Sequence, residues 1–236
     1  MIHLICFLIC GIVIFFGAEK IRKNGLIAYF LALAFCLELC YRMGLRLHGY
    51  EVLYPKGLLF LMNFLENGAL PTIIFIWVMM AGALPNTWKL RKKIMMCRGE
   101  ISIVASTLIL PHVVYYLMEF LANSSRLSKL TGLGLWGILT GAIAGLVAGV
   151  IMVPLFITSY HMIRKQMNGR RWKALQEYAY IFYGLVYIHI LAEYFAKAEN
   201  LRDSKAMLFY TVSFVLYLLL RFFKNWQMKR KKRIVV

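Results

Sequence analysis

Seven stretches of this chain are almost free of charge over roughly the length that crosses a bilayer, and short loops rich in lysine and arginine separate them. A hydrocarbon core about 30 Å thick requires about 20 predominantly apolar residues of helix. The runs fall at roughly 2–17, 26–47, 58–83, 101–121, 134–160, 176–196 and 206–223. Within lipid every backbone polar group must be satisfied internally, so only helices and closed barrels can span. The runs lack the alternating pattern of barrel strands. The expected fold class is therefore all-α, a polytopic membrane helix bundle of about seven transmembrane helices. A composition that is 61% hydrophobic, with mean hydropathy +0.69, agrees.

The basic residues set the expected orientation. Twenty of the 28 Lys and Arg lie in the segments 18–25, 84–100, 161–175 and 221–236, and eight lie in the alternate loops. The richer side faces the cytoplasm. The N-terminus is then outside, and the tail at 224–236, with Lys229 to Arg233, is cytoplasmic and suited to anionic lipid. Net charge +18 dispersed in this way argues against nucleic acid as a partner and for membrane lipid. The first run has no basic leader and no small-residue exit before Glu19, so it is expected to remain as a helix. Four of the five cysteines form the i,i+4 pairs Cys6–Cys10 and Cys36–Cys40 inside apolar runs. They read as small hydrophobes, with a redox or metal role as the alternative.

Ionisable groups inside hydrocarbon are costly, so each one is a functional candidate. His112 and His189 stand out. They occupy the fourth and sixth runs, which point the same way, at similar depth slightly outward of the midplane. Two imidazoles on two membrane helices are the usual means of holding a b-type haem. Glu66, in the third run beside Asn67, Gly68 and Pro71, is the next anomaly. It reads as a carboxyl bonded to a neighbouring helix or as a proton acceptor beside a quinol. Glu38 and Arg42 have the spacing of a helical ion pair, with Arg42 also a candidate for a haem propionate. Pro111, next to His112, is expected to kink its helix. Gly137, Gly141, Gly145 and Gly149 recur every four residues, a stripe that admits a close helix or a flat cofactor.

The order of these features resembles the ferric reductase-like transmembrane family from about Gly68 to Arg221. The residues that carry the likeness are Gly68-Ala-Leu with Pro85, Arg98 with His112, Leu139-Thr-Gly141, Pro154-Leu, Thr158-Ser159, Arg171-Trp172-Lys173, Tyr180, His189 and Leu218-Leu-Leu-Arg221. Within the family the chain is most similar to the haem b membrane subunit of the periplasmic methionine-sulfoxide reductase system. The resemblance implies a haem-binding bundle over 58–223, preceded by two additional N-terminal helices over 1–57 without a family counterpart. It makes His112 and His189 axial ligands of a haem iron, with no separate catalytic residue. It also implies the cytoplasmic membrane of a bacterium.

One departure changes the expected cofactor content. The family usually has a histidine thirteen residues before the counterpart of His189, where this chain has Gln176 in Trp172-Lys-Ala-Leu-Gln176. An amide oxygen is a poor iron ligand, so one haem is expected, with two as the alternative. A single haem outside the midplane suits a membrane quinol better than a cytoplasmic flavin. No GxGxxG segment and no soluble domain is read in the chain, so NAD is excluded and flavin enters only through a partner. The expected function is an electron-transfer component of an oxidoreductase system, passing electrons from quinol to an extracytoplasmic partner reductase or ferric iron. Glu66, Arg42, Arg98 and Gln176 are the expected supporting or quinol-site residues. The alternatives are a haem-free structural or assembly subunit of the same fold and a small-solute transporter. Neither an HExxH segment nor a lysine between Met207 and Phe222 is present, which removes a zinc protease and a retinal protein.

Overall fold

The computed structural model describes residues 2–122, 132–196 and 204–234. These form nine helices and, among the described residues, no strand. We number them α1 (Ile2–Lys23), α2 (Gly25–Leu47), α3 (Leu59–Glu66), α4 (Ala69–Ala83), α5 (Lys89–Ala122), α6 (Gly132–Ile157), α7 (His161–Gln166), α8 (Gly169–Ala196) and α9 (Ser204–Ile234). Six helices are each long and apolar enough to cross a membrane, and α3 with α4 makes a seventh span if the pair counts as one. The protein is a multi-pass membrane helix bundle. The Asn123-Ser-Ser125 sequon lies outside the described residues.

The expected third span is broken. Its halves, α3 and α4, meet at 65°. The cause is local: Gly68 has φ +67°, the left-handed conformation that ends helices and that a β-carbon disfavours. The chain then restarts with Pro71 in the first turn of α4, where its missing N–H costs no helical bond. In the last turn of α3 the Asn63 and Leu65 carbonyls still accept from the Asn67 and Gly68 N–H groups, at 3.1 and 3.0 Å, whereas the break takes the Glu66 carbonyl out of the helical pattern.

Four further local features differ from or add to the sequence reading. The basic run Lys89–Lys93 belongs to α5, not to a loop, and the helical dihedrals of α5 fail at Cys97 (φ −114°, ψ 17°), not at Pro111. The Cys97 thiol turns back toward the carbonyls of Lys93 and Ile94, at 3.5 and 3.9 Å. The tail at 224–234 continues α9 as helix, because Lys and Arg are good helix formers. Finally, Gly132, Gly134 and Gly137 do have Gly-x-Gly-x-x-Gly spacing, but they open a membrane span with no strand before it among the described residues. A dinucleotide fingerprint needs a strand, a turn and a helix in that order.

The core sits around α4 and α5. Ile73, Ile76, Ile94, Cys97 and Ala105 are at most 1% exposed and pack with Phe182, Tyr183 and Phe214 from α8 and α9. The helix α1 docks on this core through Trp77 of α4, whose ring stacks on Phe7 at 4.4 Å and whose indole N–H donates to the Phe7 carbonyl at 2.9 Å. Gly11 makes room: a β-carbon there would lie 2.4 Å from the Trp77 ring. Substituting Gly11→Leu is therefore expected to undock α1 and destabilise the protein by about 1–3 kcal/mol. A drop in the thermal unfolding midpoint in detergent checks this.

Candidate functional site

Each histidine singled out in the sequence is held by a backbone carbonyl that glycine makes reachable. His112 Nδ1 lies 2.8 Å from the carbonyl oxygen of Glu66. That oxygen belongs to the last turn of α3, and a continuous helix would have used it internally. The break at Gly68 releases it. Gly68 also leaves space for the ring, since a β-carbon there would fall 3.3 Å from His112 Nδ1 and 2.9 Å from Ile109 Cδ1.

His189 repeats the arrangement on the other side. Its Nδ1 lies 2.8 Å from the carbonyl oxygen of Gly141 on α6. A β-carbon at Gly145 would sit 2.9 Å from the same nitrogen, and one at Gly141 would sit 3.0 Å from a Glu193 carboxylate oxygen. The glycine stripe thus seats α8 directly: Gly137 faces Ala192 and Ala196, and only its last member, Gly149, turns to Val113 of α5.

These anchors bring the two half-buried imidazoles to a centroid separation of 6.2 Å with their planes at 85°. An imidazole nitrogen ligates a metal at about 2.0–2.1 Å and the ring centre lies about 1.1 Å behind it, so two rings on opposite sides of one ion would have centroids roughly 6.3 Å apart. Metal-bound histidines characteristically hold their second ring nitrogen on a carbonyl or carboxylate, as both do here through Nδ1. The donor set and its spacing fit the bis-imidazole ligation of a haem iron. Tyr116, one turn beyond His112, places its ring 4.7 Å from the imidazole. Among the described residues no group of three or more His, Cys, Asp or Glu gathers in a way that could hold a metal ion.

The Glu66 side chain is engaged by α2 and by the segment that follows it. It is 6% exposed and accepts from Arg46 Nη1 at 2.9 Å and from the Tyr54 hydroxyl. Burial, and then the adjacent Glu66 carboxylate, push the Tyr54 hydroxyl well above the ordinary tyrosine range, so it remains the donor. Arg42 is committed to Glu38 (2.5 Å), to the Leu53 carbonyl (2.9 Å) and to the face of the Tyr54 ring (4.8 Å). The path from Arg42 to His112 therefore runs through Tyr54 and Glu66. Sequence reasoning paired Glu38 with Arg42 but missed Arg46 and Tyr54, because the segment 48–58 that carries Tyr54 has no periodic pattern. Glu66→Leu would strip Arg46 and Tyr54 of their shared acceptor at a cost of about 1–3 kcal/mol, with a smaller loss for Glu66→Gln. Thermal unfolding of the two variants side by side measures the difference.

The structure does not bring Arg98 and Gln176 to the histidines. Arg98 lies fourteen residues before His112 on α5, about 21 Å along the axis. Its guanidinium stands 5.8 Å from the centre of the Trp172 ring. Gln176 is about 20 Å down α8 from His189. Its amide nitrogen lies 3.5 Å from the Thr158 hydroxyl, and the Trp172 indole donates to the Thr158 carbonyl at 3.4 Å. Cys6, Cys10, Cys36 and Cys40 are free thiols.

A family model for the ferric reductase-like transmembrane component matches residues 65–187, just over half of the chain. The protein belongs to the ferric reductase-like transmembrane family. The matched stretch contains Glu66, His112, Gly141, Gly145 and Gln176, starts inside α3, and stops two residues before His189. An uncharacterized protein of Treponema pallidum (strain Nichols) is 32% identical over 167 residues, which are 70% of this chain and 45% of that protein. This chain thus spans less than half the length of that relative.

Proposed function

We propose that this protein is the haem b subunit of a membrane electron-transfer system, holding one haem between His112 and His189. It takes electrons from a membrane quinol and delivers them to an acceptor outside the cytoplasmic membrane of a bacterium, either a partner reductase or ferric iron. The observation that carries the reading is the pair of imidazoles at 6.2 Å, each with Nδ1 on a carbonyl that a glycine exposes. Membership of the ferric reductase-like family supports the electron-transfer role. The likeness to the membrane subunit of the methionine-sulfoxide reductase system favours a separate protein as acceptor.

When bound between two imidazoles, haem iron supplies reversible one-electron transfer without an open coordination position. The chain's own residues do the rest. The Glu66 and Gly141 carbonyls fix which ring nitrogen of each histidine carries the proton and which is presented. Gln176 in place of an imidazole supports a single haem. Oxidation of a quinol releases two electrons and two protons. Glu66 meets His112 through its backbone carbonyl and Tyr54, in the outer segment 48–58, through its carboxylate, and this carboxylate–hydroxyl pair is suited to pass those protons outward.

Quinol feeding is tested by adding a short-chain quinol anaerobically to the purified, oxidised protein and following its absorption spectrum. Reduction of the cofactor within seconds is expected. Reduction by dithionite but not by any quinol would remove the quinol from the scheme and leave a protein donor.

A further inference from the structure

The end of the bundle opposite the histidines gathers positive charge that no ion pair among the described residues neutralises. Arg98 from α5 and Arg164 from α7 stand over the Trp172 ring, at 5.8 and 4.2 Å from its centre. Arg98 is also within electrostatic range of Arg164 and Tyr180. Arg221 of α9 lies over the Tyr180 ring at 5.2 Å and donates to its hydroxyl at 2.5 Å. Lys224, one turn on, senses both Arg221 and Arg91. The Nε of Arg91 is buried with no hydrogen-bond partner.

None of these five cations takes part in any of the three ion pairs found among the described residues. Few carboxylates are within reach on this face. Of the ten acidic residues, Glu19, Glu100 and Glu177 belong to it by sequence. Glu19 is taken by Lys93 at 2.7 Å, Glu100 packs beside Gly25 and Tyr29, and Glu177 is exposed. Arg221 and Lys224 have a structural use, donating to the Gly82 and Leu84 carbonyls that end α4. That accounts for part of their hydrogen bonding but brings no counter-charge. Like charges held together at the edge of a low-dielectric medium repel one another unless an anion enters.

The surroundings indicate what kind of anion. Tyr180 is 47% exposed, and the adjoining surface of α8 and α9 shows Ile181, Leu218, Phe222 and Phe223, each more than half exposed. An apolar, lipid-facing surface thus runs directly up to the guanidinium cluster. A free phosphate would use the charges and leave that surface bare, whereas an amphiphile would use both.

We propose that the Arg98–Arg164–Arg221 cluster, framed by Trp172 and Tyr180, is a binding site for an anionic phospholipid of the inner leaflet. The guanidinium groups take the phosphate, with Arg suited to two-point contact with its oxygens, and the acyl chains lie along α8 and α9. The site does not depend on the haem reading, because it lies at the other end of α5 and α8.

The test uses the full chain, delipidated in a neutral detergent and titrated separately with phosphatidylglycerol, phosphatidylcholine and inorganic phosphate. Retained lipid is read by native mass spectrometry and stabilisation by the unfolding midpoint. Phosphatidylglycerol should be retained over phosphatidylcholine and raise the midpoint, and inorganic phosphate should not displace it. Each neutralised cation weakens lipid attraction by about 1 kcal/mol, roughly fivefold, so Arg98→Gln with Arg164→Gln should lower retention about 25-fold. The lysine versions at both positions keep the charge and should restore most of it, which separates a binding defect from misfolding. Lys20→Gln with Arg22→Gln removes two cations of the same face outside the cluster and should change little. Equal loss in that control, equal retention of phosphatidylcholine, or competition by phosphate alone would overturn the proposal.

Discussion

His112→Ala and His189→Ala should each abolish haem retention by the purified protein, with no residual b-type absorption in either variant. The reason is geometric. The two imidazoles come from α5 and α8, and their centroids stand 6.2 Å apart, so in the proposed function each supplies one side of the haem site. A low-spin haem held from one side only has lost half of its iron–protein bonds and exposes an open position. The effect on folding should be small by comparison, because both side chains are half-buried and neither lies in the main apolar core. Losing one hydrogen bond to a carbonyl costs about 0.5–1.5 kcal/mol. Haem per chain, measured on material whose helix content matches the wild type, checks this. Full haem content in either variant would mean that another residue ligates the iron.

The second large effect is expected at a residue with no side chain. Gly145→Val should also empty the site, although position 145 contacts no metal. A β-carbon there would fall 2.9 Å from His189 Nδ1 and 3.2 Å from Cε1. The imidazole must then leave the Gly141 carbonyl, and α8 must shift away from α6. Overpacking of this kind costs about 1–3 kcal/mol, and the displaced ring no longer faces His112. Haem occupancy should fall at least tenfold, with a partial defect in Gly145→Ala. The comparison with Gly149→Ala is informative, because a β-carbon there meets only Val113 at 3.5 Å, an ordinary contact. That variant should keep its haem.

The membrane bundle was legible in the sequence because spanning hydrocarbon imposes a length and a polarity on each helix, whatever its neighbours. The histidine pair was legible for a related reason: an imidazole in an apolar run is conspicuous, and two at one depth point to each other. The seats of those imidazoles were not. That Gly145 must be glycine follows from how α6 meets α8, and spacing alone left the stripe open to any close-packed partner. The break at Gly68 could have been read from Gly68 followed by Pro71, a stop signal and then a start signal. The uninterrupted apolar run from 58 to 83 masked it. Arg46 reaches Glu66 from the last turn of α2 and Tyr54 from a loop without periodicity, so only the folded chain reveals the pair.

Arg98 and Gln176 mark a different limit. Resemblance made them candidate supporting residues, with Gln176 standing where the family has a second histidine, and the rise of a helix sets each about 20 Å from its histidine. Gln176 pairs with Thr158 and Arg98 shares Trp172 with Arg164. Both belong to the opposite end of the bundle, where charge rather than ligation organises the side chains.

The central claim is one haem b held by this chain, and the direct measurement is a dithionite-reduced minus oxidised spectrum of the detergent-purified protein, with haem quantified per chain. The account predicts a b-type difference spectrum at about one haem per chain. Two haems per chain would contradict the reading of Gln176 and require a further ligand. No haem, after expression with ample haem supply, would contradict the electron-transfer function itself.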